Sequence, residues 1–357
     1  MKLVYFNARR IFDMINFDLS SDIQIFLKMF NTQSMTDRTG TIISPFNMEL
    51  IYPLQKLKTE KQSYADACND RAKKIIKMID EKDTTIFLLW SGGVDSTTMM
   101  SAMLSHSSPQ QQKKMIILLS QKSIRENEKF FKNYILGKLR YESSLHSLEK
   151  LIKSLDNNIM IFSSEQCHFY GNWWSYVMSN HNDPITIGSF HYLQLHNDQL
   201  YFKMLKQILE KSAASSGIKL ETKFQYVWWH LFCFLFQGQC MRERTYHAQI
   251  IDRRPDSLLI NKVDMFFMGD KFDQWAMQRA MNLDTDFSIY KKDSKEYILN
   301  FDNNKEYYQS KFKVNSGVSL QTANESCLLM DDNYNEIAPD KLLEYYNKKN
   351  DFIMFKK

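Results

Sequence analysis

The chemistry of this chain is concentrated in one stretch, Ser91-Gly92-Gly93-Val94-Asp95-Ser96-Thr97-Thr98. Two adjacent glycines let a backbone turn sharply and bring bare N–H groups up to an anion. A helix starting directly after them adds the positive end of its dipole, about 0.3 to 1 kcal/mol per charge at exposed sites. The hydroxyls of Ser91, Ser96 and Thr97 supply further donors, so the stretch has the make-up of a phosphate cradle. Asp95 needs a separate reason. A carboxylate beside a polyphosphate is repulsive unless a divalent cation lies between them, and Asp95 therefore reads as a magnesium ligand. The competing reading is an ordinary strand-to-helix turn with Ser96 as a helix cap. Six residues in this order, after a buried strand and before a helix, are more specific than that. No lysine follows the glycines, which separates the loop from the mononucleotide loop that ends in Gly-Lys-Ser/Thr.

The run before the loop, Thr85-Ile86-Phe87-Leu88-Leu89-Trp90, is continuously apolar, as a parallel strand buried on both faces should be. After the loop the pattern predicts a helix from about Val94 to Leu104, a strand over Met115 to Leu119 and a helix from about Ser123 to Leu139. Further strands follow at Asn158 to Phe162 and Ile185 to Ile187. This alternation predicts an α/β, doubly wound parallel sheet. A helix from Tyr64 to Asp80, with Ala67, Ala72, Ile75, Ile76 and Ile79 on one face, precedes it. The first sixty residues read as a small unit with a strand at Leu3 to Phe6 and a helix from Asp22 to Phe30. Beyond about residue 205 the pattern is helical, with Phe224 to Phe236 apolar nearly all round and so a buried helix. The tail suggests a hairpin around Asp331-Asp332-Asn333 and a last helix near Pro339.

A length of 357 residues implies about two packed units, and 44% hydrophobic residues suffice to bury large cores. The net charge of +5 is mild and well mixed, so nucleic acid is compatible as a partner but not indicated. Cys68, Cys167, Cys233, Cys240 and Cys327 lack the close spacings of a zinc site or redox pair, which favours reduced thiols in a cytoplasmic compartment. The start lacks the order of a secretory signal, and the most apolar run is about half of what spans a bilayer, so no membrane segment is expected.

Ser91 to Ser96 match the Ser-Gly-Gly-x-Asp-Ser signature of the N-type ATP pyrophosphatases, the PP-loop superfamily. Within it the chain most resembles the synthetase domain of asparagine synthetase, over about Tyr64 to Leu320. The resemblance implies the adenine nucleotide alpha hydrolase-like form of the sheet, with ATP and Mg2+ as cofactors. By carry-over, Trp90, Ser91, Gly92, Gly93, Val94, Asp95, Ser96, Leu119 and Gly188 would contact ATP or pyrophosphate, Trp90 and Leu119 through the backbone. Thr186-Ile187-Gly188 with the later Asp198 resembles the segment that supplies a second metal ligand, making Asp95 and Asp198 the metal pair. Phe266-Phe267 with Asp270 and Asp273-Gln274-Trp275 is similar to the helical segment beside the substrate pocket. Lys295 leading into Tyr307 to Gly317 resembles the late lysine loop, where Lys311 or Lys313 would meet charge on the reacting carbonyl and phosphate.

These implications divide the chain into a small N-terminal α+β unit (1–62), a PP-loop ATP-binding α/β domain (63–204) and a mainly helical substrate-side region with the lysine loop (205–357). The implied activity is an AMP- and pyrophosphate-forming ligase that adenylates a carboxylate and transfers it to a nitrogen nucleophile. Two alternatives stay open: a PP-loop enzyme that adenylates a nucleobase carbonyl, in tRNA or a purine derivative, and a catalytically silent nucleotide-binding protein. No cysteine precedes Cys68, so the N-terminal glutaminase of full-length asparagine synthetases is not expected, and the amine would come from ammonia or from a separate donor or glutaminase subunit.

Overall fold

Strand β1 (Leu3–Phe6) stands outside the main sheet, and helix α1 (Tyr64–Glu81) leads into it. The structure, a computed structural model, describes residues 2–6, 36–42, 44, 46–143, 158–163, 199–251, 262–281, 291–310, 329–333, 335, 337, 338, 341, 344 and 345. Helix α1 follows its apolar spacing: Ala67, Cys68, Ala72, Ile75, Ile76 and Ile79 are buried along one face, and Lys73, Lys74 and Lys77 are exposed. Ser63 caps it by accepting from the Asp66 amide at 3.0 Å, a contact worth about 1 kcal/mol.

Strand β2 (Ile86–Leu89) leads through the glycine loop into α2 (Val94–His106), the short α3 (Pro109–Gln112) and β3 (Met115–Leu119). One helix from Ser123 to Leu139 is expected next, and the structure differs. Helices α4 (Gln121–Glu126) and α5 (Glu128–Phe130) are separate, α5 runs into a π-helical turn at Phe131–Ile135, and strand β4 (Arg140–Ser143) follows. Asn127 causes the break. Its backbone leaves the helical region at φ −147°, and its side-chain oxygen accepts from the Phe130 amide at 3.2 Å, which caps the second helix.

The remaining described elements are β5 (Ile159–Phe162), α6 (Gln199–Ser215), α7 (Lys223–Trp229), α8 (Phe236–Ile251), β6 (Val263–Met265), α9 (Asp270–Met281), α10 (Lys292–Asp302), α11 (Lys305–Ser310) and β7 (Leu329–Asp331). A π-helical turn, His230–Leu235, joins α7 to α8, and all six of its side chains are buried, as the apolar run predicts. The expected elements at Asp22 to Phe30 and Ile185 to Ile187 lie outside the described residues, as does nearly all of the tail helix. Strand β7, next to the expected hairpin, pairs antiparallel with β1.

The main sheet has the order β4-β3-β2-β5-β6, and every neighbouring pair is parallel. All five residues of β3 are buried, and so are Ile86, Phe87 and Leu88 of β2. The architecture is α/β with a five-stranded parallel sheet, compatible with a Rossmann-like fold. From β2 the chain passes to β3 and β4 on one side, then returns to β5 and β6 on the other. The carboxyl end of β2 is therefore the topological switch point, where sheets of this type open a crevice for ligands. Helix α2 leaves from that point, with α1 and α10 packed against it. Among the described residues no helix is long and apolar enough to cross a membrane.

Candidate functional site at the end of strand β2

The two glycines of the loop serve different ends. Gly92 has φ +77°, and a Cβ built on it would lie 2.3 Å from the Ser123 carbonyl oxygen and 2.9 Å from Cβ of Glu126. Both the backbone and the packing of α4 demand glycine there. Gly93 has φ −74°, open to any residue, and a Cβ there would meet only the Ser91 Oγ at 3.3 Å and a Glu126 carboxylate oxygen at 3.6 Å. Its backbone does not require glycine. What the missing side chain does is leave the approach to the α2 N-terminus uncovered, while giving that helix no side-chain cap.

Two serines knit the loop from within. The Ser91 amide donates to the Ser96 Oγ at 3.1 Å, and the two hydroxyls share a hydrogen bond of 2.9 Å. The Ser96 hydroxyl also donates to the Gly93 carbonyl at 3.2 Å, and the Gly93 amide reaches the Ser91 Oγ at 3.3 Å. Ser96 and Thr97 are fully buried, and the Thr97 hydroxyl accepts from the Trp90 indole at 3.2 Å. The Ser96 and Thr97 hydroxyls, expected as phosphate donors, here make their contacts inside the loop and the core, since buried polar groups find partners. Trp90 is fully buried too, its ring stacked near Phe130 and Phe131 at 5.8 and 6.5 Å. Its indole is a packing group. Leu119, at the end of β3, is buried as well.

Asp95 lies in the first turn of α2, and the Lys291 ammonium contacts its carboxylate. The two side chains are only 17% and 7% exposed. Lys291 immediately precedes α10 in the left-handed region, at φ 53°, uncommon for a lysine and a sign of local strain. Because α10 packs on α2, its first residues are brought to the loop. The sequence reading did not single out Lys291. Its signal was weak, a lysine in a Lys291-Lys292 pair whose partner lies 196 positions away. Lys295, one turn further along α10, is also buried. Tyr307 of α11 completes the surroundings by donating to the Gly92 carbonyl at 3.2 Å.

Gly188, Asp198, Lys311 and Lys313 lie outside the described residues. Among the described residues no group of three or more acidic, histidine or cysteine side chains is arranged to hold a metal. Magnesium bound to phosphates keeps several waters and takes only one or two carboxylates, so the Asp95 carboxylate at the loop fits that demand. The Phe266 to Trp275 segment is occupied by packing. Phe266 and Phe267 are buried, Gln274 accepts from the Lys58 amide at 2.7 Å, Trp275 packs on Tyr64, and Asp273 is paired with Arg38 at 2.6 Å.

Compared with known proteins, the chain matches no family model, no curated protein and no solved structure. Fold and site together define it as a parallel-sheet α/β protein with a glycine-turned strand-to-helix loop at its topological switch point. An aspartate and a distant lysine meet at that loop.

Proposed function

We propose that the chain is an ATP-dependent ligase of the PP-loop kind, asparagine synthetase-like in its chemistry and alpha hydrolase-like in its sheet. It adenylates a carboxylate with release of pyrophosphate, and a nitrogen nucleophile then takes the acyl group with release of AMP. The observation that carries this reading is the meeting of Lys291 and Asp95 beside Gly92 and Gly93. An ammonium and a carboxylate at an uncapped helix N-terminus form a set suited to a polyphosphate with its metal ion. The signature order of Ser91 to Ser96 supports it independently.

In this reading the Gly93 amide and the first turn of α2 bind phosphate oxygens. Asp95 holds magnesium, which when bound offsets the charge that collects on the leaving pyrophosphate. Lys291, already at Asp95, adds a second cation on the same side. The late-loop lysine, Lys311 or Lys313, meets charge developing on the reacting carbonyl. Acyl transfer then competes with hydrolysis, so the chain must keep water away from the activated carboxylate.

The reading is tested by incubating the protein with MgATP, candidate carboxylates and amines, and separating the spent nucleotides. AMP and pyrophosphate in equal amounts are expected. ADP and phosphate would mean a different reaction, and tight ATP binding without turnover would leave a nucleotide sensor. Activity on a nucleobase carbonyl instead would move the chain to the base-modifying branch. Asp95→Ala should abolish pyrophosphate release with the circular dichroism spectrum unchanged, and normal release by that variant would remove the magnesium assignment.

A further inference from the structure

The Gly92–Gly93 peptide is held from a distant part of the chain. The phenol of Tyr307 donates to the Gly92 carbonyl at 3.2 Å, across 215 positions of sequence. Tyr307 is 7% exposed and sits in α11. Thr97 and Asn127 stand beside its phenol, and Thr97 also receives the Trp90 indole. Burial pushes the phenol well above its usual range, so it stays protonated and remains a donor. Beneath the loop lies a buried polar network running from Trp90 through Thr97 to Tyr307 and Gly92.

A trans peptide is planar, and its C=O and N–H point in opposite directions. Fixing the Gly92 carbonyl therefore fixes the direction of the Gly93 N–H, the amide at the uncovered entrance to α2. Flanked by two glycines, this peptide plane is otherwise among the easiest in a protein to rotate. The long contact from the Gly93 amide to the Ser91 Oγ, at 3.3 Å, holds it only weakly.

We infer that Tyr307 is a positioning residue for phosphate binding: its hydroxyl locks the Gly92–Gly93 peptide so that the Gly93 amide faces the incoming anion. This deepens the proposed function and rests on it. Tyr307 touches no phosphate in this role and acts through the peptide. Lys311 follows it by four positions, so the same contact ties the segment leading to the late lysines to the loop.

Gly92–Gly93 is the one Gly–Gly pair among the chain's 10 glycines. Protein labelled with 13C at glycine carbonyls and 15N at glycine nitrogens thus gives a single carbonyl–nitrogen cross-peak, reporting both groups at once. Tyr307→Phe should shift that peak in the absence of nucleotide, leave the ordinary amide peaks of Gly40 and Gly217 in place, and weaken MgATP binding about tenfold. Para-aminophenylalanine at position 307 restores a donor and should recover both the shift and the affinity, which a purely structural role would not require. Tyr308→Phe is the control and should change neither. An unmoved peak in Tyr307→Phe, or a moved peak with unchanged MgATP affinity, overturns the inference while the ATP reading stands. If MgATP leaves the wild-type peak and its affinity trace flat, the ATP reading fails and takes this role with it, although the hydrogen bond itself stays visible. Should Tyr307→Phe not fold, the aminophenylalanine protein alone decides, since wild-type affinity supports the inference and lost affinity overturns it.

Discussion

Among the described residues two ion pairs lie well inside the molecule, and their surroundings differ. Arg38 meets Asp273 through a two-pronged contact, Nη2 at 2.6 Å and Nη1 at 3.2 Å. Further donors are also engaged: Nε gives to the Tyr52 carbonyl at 2.8 Å, and Nη1 is shared with the Phe232 carbonyl. The guanidinium lies 4.0 Å from the Phe236 ring centroid and 5.2 Å from that of Phe232. Next to it Asp37 accepts from the Thr39, Thr41 and Ile42 amides and from Ser212. Four of the five Arg38 guanidinium N–H groups are thus engaged by the fold. Lys291 and Asp95 instead bring a compact point charge to one carboxylate at a loop with an uncapped helix N-terminus. A fork fixes geometry, while an ammonium can turn toward a new anion without repacking. Burial and pairing are common to both; what differs is a forked guanidinium packed among backbone carbonyls and aromatic rings in one, and a single ammonium beside an uncapped helix start in the other.

That contrast can be broken by exchanging the consequences. Arg38→Ala leaves the Asp273 carboxylate buried without its partner, and burial already pushes that group above its ordinary value. The expected loss is about 3 to 5 kcal/mol of stability, read from urea unfolding, and Arg38→Met with Asp273→Leu should recover most of it. A loss under about 1 kcal/mol would mean the pair is not the structural one. Lys291→Ala should reverse the pattern, lowering single-turnover pyrophosphate release on the order of a hundred- to thousand-fold with much less effect on unfolding. Near-normal release would return Lys291 to the structural class.

The smallest expected effect comes from the π-helical turn whose Phe232, Cys233 and Phe234 carbonyls accept from Arg38 and Thr36. His230, in the same turn, is buried, and that burial pushes its imidazole down from 6.5 to about 3. Above the unfolded value the ring is neutral in both states and contributes nothing. Between the two values only the unfolded chain takes up a proton, so stability falls as pH falls, by about 1.4 kcal/mol per unit. Between pH 7 and pH 5, wild-type protein should lose about 2 kcal/mol more than His230→Leu. Equal losses would show that the folded state also protonates the ring.

Much of the sheet was legible because its signals are local. The apolar runs of β2, β3 and β5 declare buried parallel strands, and the two glycines between strand and helix declare the loop. Strand β4 was not legible: Arg140-Tyr141-Glu142-Ser143 is a half-polar edge strand, and the helical pattern before it is interrupted by a single Asn127 cap. Asp95 could be singled out because it stands next to the glycines, whereas Lys291 could not, since nothing around it differs from a lysine on a solvated helix. Arg38 was equally silent. One of its acceptors, the Phe232 carbonyl, comes from a π-helical turn nearly two hundred positions away and another, Asp273, from α9, and no local pattern encodes such a match.

Strand β1 carries a consequence for how the chain is made. One side of it meets a segment close in sequence: Leu3 donates to the Asn47 carbonyl at 2.8 Å and accepts from the Glu49 amide at 2.7 Å. The other side pairs with Leu329–Asp331, roughly 280 residues later in synthesis. At about 5 to 20 residues per second a ribosome needs about 15 to 55 s to cover that gap. A chain in which β1 forms before Leu329–Asp331 is made has one open strand edge over that interval, the kind of edge at which a neighbouring chain can pair by mistake.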